Sequence, residues 1–189
     1  MIDESHLPDV VAAAGRGEQQ ALAVLYRAYQ PALIRYLRAQ APDVADDLAS
    51  EVWIAVSRGL AGFTGDEAGL RAWLFTIARR RVIDHRRRTA RRRTDPTENA
   101  RLEVIVDTHG DADPATALAE GESAQRVVDI LVAELTPEQA EAVLLRVVAG
   151  LPVADVARIM ERRPGTVRVL CHRALHRLAL RLGDGARTR

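Results

Sequence analysis

Over most of this chain apolar residues recur at spacings of three and four: Leu22, Leu25, Tyr29, Leu33 and Leu37, then Leu48, Val52, Val56 and Leu60, then Leu70, Leu74, Ile77 and Ala78. That period puts one buried stripe on each of several amphipathic helices and leaves no run that alternates as a half-buried strand does. The fold class that follows is all-α. A chain of 189 residues could form one large domain or two small ones, and an aromatic content of 4% argues against a single large sandwich or barrel. The expectation is two small helical domains joined by a flexible acidic linker, the C-terminal one containing a helix-turn-helix.

The punctuation between stripes sets the first domain, residues 1–93. A short helix is expected around Pro8 to Ala14, a break at Gly15 to Gly17, and a long helix carrying the Leu22 to Leu37 stripe. Pro31 removes an amide donor inside that helix, so a kink or a fresh helix start is expected there. The next helix spans about Asp43 to Leu60, with Asp46, Asp47 and Glu51 crowding its first turns, where acidic groups suit the positive helix N-terminus. A loop from Gly62 to Gly69 then leads into a long helix.

The C-terminal half of that helix is the most unusual stretch of the sequence. Net charge is only +1, but all 27 basic residues are arginine, and nine of them fall between Arg79 and Arg93 against the lone Asp84. Such a block attracts polyanions. A run of basic residues is usually only a solvated helix face; nine in fifteen positions exceed what solubility asks, and nucleic acid is the expected ligand. From Thr94 to Gly121 the sign reverses, through Asp95, Glu98, Glu103, Asp107, Asp111 and Asp113, in a stretch rich in Pro, Ala and Gly without sustained period. Residues 94–121 are therefore read as a linker, in which Val104, Ile105 and Val106 form a small apolar patch.

The second domain, residues 122–189, opens with a helix bearing Ala124, Val128, Leu131 and Leu135. Thr136, Pro137 and Gln139 then spell a capping box with proline in the first turn, a firm helix start. The helix they begin is expected to bury Val143, Leu144 and Val147 and to end at Gly150. Two further helices follow, Pro152 to Met160 and one from about Pro164, separated only by Glu161 to Arg163. The first buries Val153, Val156 and Ala157; the second sets Val167, Cys171, Ala174, Leu175, Leu178 and Leu182 on one face. Two helices joined so tightly and braced by a third are what a helix-turn-helix looks like in sequence. Thr166, Arg168, Val169, His172, Arg173, His176 and Arg177 lie on the opposite face, suited to phosphates and base edges.

Several function classes find no support. The single Cys171 permits no intrachain disulfide, the first residues carry neither a basic nor an apolar leader region, and no apolar run approaches the ~20 residues of a membrane span. A cytoplasmic protein without membrane insertion is expected. His172 and His176 stand one turn apart beside Cys171, but Cys171 sits on the core face and no second thiol supports a metal or redox site. No phosphate-binding glycine loop, nucleophile elbow or paired carboxylates appear, so no enzyme, cofactor or metal is expected.

Three segments carry a family resemblance: DDLASEVWIAVSRGL at 46–60, LRAWLFTIARRRVIDHRRR at 70–88, and LTPEQAEAVLLRVVAGLPVADVARIMERRPGTVRVLCHRALHRL at 135–178. In order and spacing they resemble the extracytoplasmic-function sigma factors of the bacterial housekeeping sigma family. A lone helix-turn-helix would be weak evidence; the ordered trio is far more specific. The resemblance implies a promoter-melting domain followed by a domain reading the minus-35 element, both serving RNA polymerase core. It implies that Asp46, Asp47 and Glu51 dock on the clamp helices of the polymerase's largest subunit, that the second domain meets its flap, and that an anti-sigma protein holds the free factor inactive. By the same resemblance, the loop at Phe63 to Gly69 and the following helix hold the minus-10 element through Arg71, Trp73, Arg79, Arg80, Arg81, Asp84, Arg87 and Arg88. Arg163, Thr166, Arg168, His172 and Arg173 face the minus-35 element. Capture of an extruded base would offset a few kcal/mol of unstacking, so promoter melting needs no ATP. Trp73 offers an indole to stack on a base, although an aromatic in a helical stripe more often packs in a core.

The chain departs from the family pattern at the turn, where Glu161 replaces the usual glycine and Arg163 a Ser or Thr cap, and in the melting helix, where Arg80 stands in place of a common Asn. Two other readings stay open on the residues themselves. One is a stand-alone helix-turn-helix regulator, which has no need of the arginine helix; the other is an enzyme acting on nucleic acid, which needs converging acidic metal ligands.

Overall fold

The computed structural model describes residues 7–94 and 130–186, and every regular element among them is helical. In the first domain α1 (Leu7–Gly15), α2 (Gln19–Gln40), α3 (Ala45–Gly59) and α4 (Glu67–Thr94) pack in sequence order, with single 3-10 turns at Pro42–Val44 and Leu60–Gly62. In the second, α5 (130–134), α6 (Pro137–Val143), α7 (Val153–Met160) and α8 (Pro164–Ala186) build the helix-turn-helix. The linker from 95 onward, its Val104 to Val106 patch and the helix positions Ala124 and Val128 lie outside the described residues, as does the side chain of Leu182.

The expected stripes form the core. Leu25, Tyr29, Leu33 and Leu37 of α2 are buried, as are Leu48, Val52 and Val56 of α3 and Leu60 beyond it. Each such aliphatic side chain removed from water contributes roughly 1.5–3 kcal/mol before conformational entropy is subtracted. No fresh helix starts at Pro31: α2 is unbroken through it. Its ring lies on the exposed side, and the buried Tyr29 and Leu33 on either side anchor the helix against the loss of one amide donor.

The loop before α4 is shorter than expected. Asp66 accepts a hydrogen bond from the Gly69 amide at 2.8 Å, capping a helix that begins at Glu67. Along α4, Leu70, Leu74 and Ala78 are buried as expected, but Ile77 is only half-buried, while Ala72, Phe75 and Val82 are buried too. The cause is packing on more than one side, since α4 meets α2 and α3 and, on another face, α7 of the second domain. Phe75 meets the fully buried Tyr36 edge to face, with ring centroids 5.6 Å apart.

In the second domain the Thr136 capping box forms, with Thr136 and Gln139 exchanging side-chain and backbone bonds. Beyond α6 the helix continues as a π turn over Leu144–Val148, where the Ala149 amide reaches back to the Leu144 carbonyl. The extra residue in that turn rotates the register. Val147, expected in the core, is 69% exposed, and Leu145 and Leu151 are buried instead. Gly150 ends the segment at φ 66°, the left-handed stop expected of it. In α8, Val167 and Ala174 are fully buried and Cys171 and Leu178 half-buried, a narrow stripe that leaves Leu175, one position to its flank, 55% exposed. Among the described residues no helix is long and apolar enough to cross a membrane.

Candidate nucleic-acid interface

On α4 the residues Trp73, Thr76, Arg80, Ile83 and Arg87 follow one another at spacings of three and four, so one face of the helix carries them all. Arg80 and Arg87 are exposed and make no ion pair among the described residues; Arg88 and Asp84 are exposed beside them. Trp73 is half-buried. Its indole lies over Gly59, where a Cβ would come within 2.6 Å of the ring, and it tilts against Phe63 with centroids 5.4 Å apart. Glycine at 59 therefore sets how deeply Trp73 sits. Phe63, Thr64, Trp73, Thr76, Arg79 and Arg80 line a cleft of ≈ 480 Å³ beside the loop.

The structure does not gather every arginine of the block on that face. Arg79 bonds through Nε to Glu141 of the second domain at 2.9 Å and is mostly buried. Arg71 pairs with Glu67 and lies 5.9 Å over the Tyr29 ring, on the side of α4 that faces Gly150. Arg86 donates to the backbone carbonyl and side chain of Gln40, closing the C-terminal end of α2. Arg81 stands 3.6 Å from Glu51, both half-exposed, a pair worth at most about 1 kcal/mol in water. The sequence signalled the Arg71 pairing, since Glu67 precedes it by four residues; Glu141 and Gln40 are distant in sequence and follow no period.

Of the acidic group on α3, Asp46 and Asp47 are exposed in the first turn, Asp46 lying 3.8 Å from Arg38, and Glu51 faces Arg81. The carboxylates thus form an exposed edge that borders the arginine helix. Neutral pairing between the two is loose enough to be exchanged for an outside partner.

In the helix-turn-helix, Thr166, Arg168, His172 and Arg173 are exposed on the outer side of α8 and Arg163 is exposed in the turn before it, while Val167 and Ala174 hold the inner side of α8 to α6 and α7. The domain is braced from outside by Arg162 to Glu138 at 2.7 Å and Arg181 to Glu134 at 2.9 Å. Val169, 47% exposed, adds an apolar group to that face. Cys171 is half-buried, and burial pushes its thiol above the ordinary range.

Residues 25–92 match the family model described as sigma-70 region 2, and residues 126–178 the model described as sigma-70 region 4. The chain is 34% identical over 187 residues to the ECF RNA polymerase sigma factor BldN of Streptomyces coelicolor, covering 98% of this chain and 69% of that one. It is likewise 34% identical over 179 residues to the ECF RNA polymerase sigma factor SigD of Mycobacterium tuberculosis, covering 91% and 82%. Among solved structures, the fold is similar to RpoE in its complex with the anti-sigma factor NepR from Bartonella quintana, at a TM-score of 0.61, 24% identity, and 85% and 96% coverage. CnrH in complex with the cytosolic domain of CnrY has a TM-score of 0.59 at 21% identity, over 93% of this chain and 96% of that one.

Proposed function

The chain belongs to the ECF RNA polymerase sigma factors, and from that premise we propose how its surfaces divide the work of initiation. As a sigma factor it binds RNA polymerase core and directs promoter-specific transcription; it is not an enzyme. In our reading residues 1–93 serve core binding and melting, residues 94–121 are linker, and residues 122–189 read the minus-35 element. Asp46, Asp47 and Glu51 offer the acidic edge for a basic polymerase surface, the clamp helices, and the second domain meets the flap.

The observation that carries the melting assignment is the single face of α4 on which Trp73, Thr76, Arg80 and Arg87 lie in line beside the Phe63 loop. Arginines there neutralise phosphates of the minus-10 non-template strand, and the Trp73–Phe63 pair borders a cleft for an unstacked base, so strand separation draws on binding free energy and needs no ATP. Arg88, Arg81 and Asp84 flank this face; Arg71 and Arg79 reach DNA only once their internal partners release them. On α8, Thr166, Arg168, His172 and Arg173 face the major groove, with Arg163 at the turn.

Two further points rest on likeness. The solved relatives CnrH and RpoE are seen with the cytosolic domain of CnrY and the anti-sigma factor NepR, and we infer a comparable inhibitory partner for this chain, working in the cytoplasm where core polymerase is found. The test of the melting face is Arg80→Glu combined with Arg87→Glu, neither of which breaks an internal pair. Permanganate footprinting of promoter complexes should show open-complex formation reduced by more than about tenfold while core binding persists, because each change turns a phosphate attraction into repulsion. Undiminished opening by the double variant would defeat the assignment.

A further inference from the structure

The melting face just described is not open in this structure. The same cleft that Trp73, Thr76 and Arg80 line on one side is closed on the other by Arg158, Ile159 and Glu161 of α7 and the turn after it. The helix-turn-helix therefore rests on the surface that the melting reading assigns to DNA, with Ile159 almost fully buried against it. A second cleft, of ≈ 260 Å³, lines the far side of the seam between Tyr29, Arg71 and Val148 to Gly150. The seam between the domains is thus imperfectly filled on both flanks, as contacts that must part tend to be.

At its centre sits a mostly buried ion pair. Glu141 of α6 reaches across and accepts, on the same carboxylate oxygen, from Arg79 Nε at 2.9 Å and from the Tyr36 hydroxyl at 3.2 Å. Tyr36 is fully buried, and the Arg79 and Glu141 side chains are only 19% and 14% exposed. A pair so nearly out of water is poorly screened by salt, and losing one member leaves the other charge uncompensated. Sequence separations of 105 residues from Tyr36 to Glu141 and 62 from Arg79 to Glu141 mean that nothing but the closed arrangement brings them together.

We propose that Glu141 is an internal latch: in the free chain it holds the second domain over the Trp73–Arg80 face, and release of Arg79 and Tyr36 from it uncovers that face for single-stranded DNA. The latch has a chemical logic beyond packing. Arg79 is withdrawn from the arginine block by a carboxylate standing where a phosphate would stand, so DNA and Glu141 compete for the same guanidinium. The role given to the covered face rests on the melting reading above.

The test uses the full chain without polymerase. Small-angle scattering gives the radius of gyration, and fluorescence anisotropy gives the affinity for a fluorescein-labelled single-stranded oligothymidine. Glu141→Gln removes the charge; Tyr36→Phe keeps both ring and net charge and removes one bond, so it controls for the added positive charge of the first variant and decides the matter if that variant misfolds by circular dichroism. The wild type should be compact, and Glu141→Gln should expand it and tighten oligothymidine binding by about tenfold, the factor expected if nine-tenths of the free chain is closed. Tyr36→Phe should move both readouts the same way by a smaller factor. A wild-type chain already extended, or folded variants that match it in both readouts, would overturn the latch. Neither readout involves a promoter or polymerase, so the latch can fail while the initiation reading stands, and a failure to bind core would leave these results unexplained by any change in the latch.

Discussion

Glu161 stands at φ 56°, in the left-handed region where a Cβ crowds the backbone. It ends α7 and turns the chain into α8, and it does so without the glycine that such a turn prefers. The backbone strain falls on a residue that also lines the Trp73 cleft. Glu161→Gly should relieve it, offset in part by the greater freedom of glycine in the unfolded chain, for a net gain of up to about 1 kcal/mol. A thermal melt monitored by circular dichroism should show a higher midpoint; a lower one would mean that Glu161 makes compensating contacts. Tyr29 is a residue of the opposite kind. Its hydroxyl is buried without a hydrogen-bond partner among the described residues, and burial, with the nearby Glu67 charge, pushes its pKa up to about 12. It stays protonated at every physiological pH and titrates nothing.

At the level of elements, most of the architecture was legible because helices announce themselves by period. The α2 and α3 stripes, the Gly15–Gly17 break, the Gly150 stop and the Thr136 capping box could be read directly, since each depends on residues within a turn or two of one another. What escaped were features set by distant partners or by a change of helix type. Val147 was misplaced because the π turn shifts the register after Leu144, and nothing in the spacing of Leu144, Leu145 and Val147 betrays it. Pro31 did not restart α2 because the buried residues around it outweigh one missing amide bond. The capping box offers a direct check of an element that was read correctly. Thr136→Ala removes the oxygen that holds the Gln139 amide, and should cost about 1 kcal/mol in urea unfolding of the full chain. A cost near zero would mean that Pro137 and packing alone fix the start of α6.

For the whole molecule, the sequence located the basic helix and the helix-turn-helix but treated all nine arginines of the block alike. Their separate fates depend on groups that no local pattern reveals: Gln40 for Arg86, Glu51 for Arg81 and Glu141 for Arg79. Among the described side chains, Arg80, Arg87 and Arg88 are exposed along one side of α4, with the half-buried Trp73 at its start. The acidic edge of α3 borders it directly. On the proposed division of surfaces, engagement of Glu51 by a basic partner would free Arg81 for phosphate at the same moment, since the two stand 3.6 Å apart.

Association with polymerase is the property that defines a sigma factor. Purified chain should co-migrate with bacterial RNA polymerase core in gel filtration and be displaced by an excess of a housekeeping sigma factor, because both occupy the same sites on the enzyme. Absence of core binding, in a chain that still bound duplex DNA tightly by itself, would contradict the account and point to a stand-alone regulator.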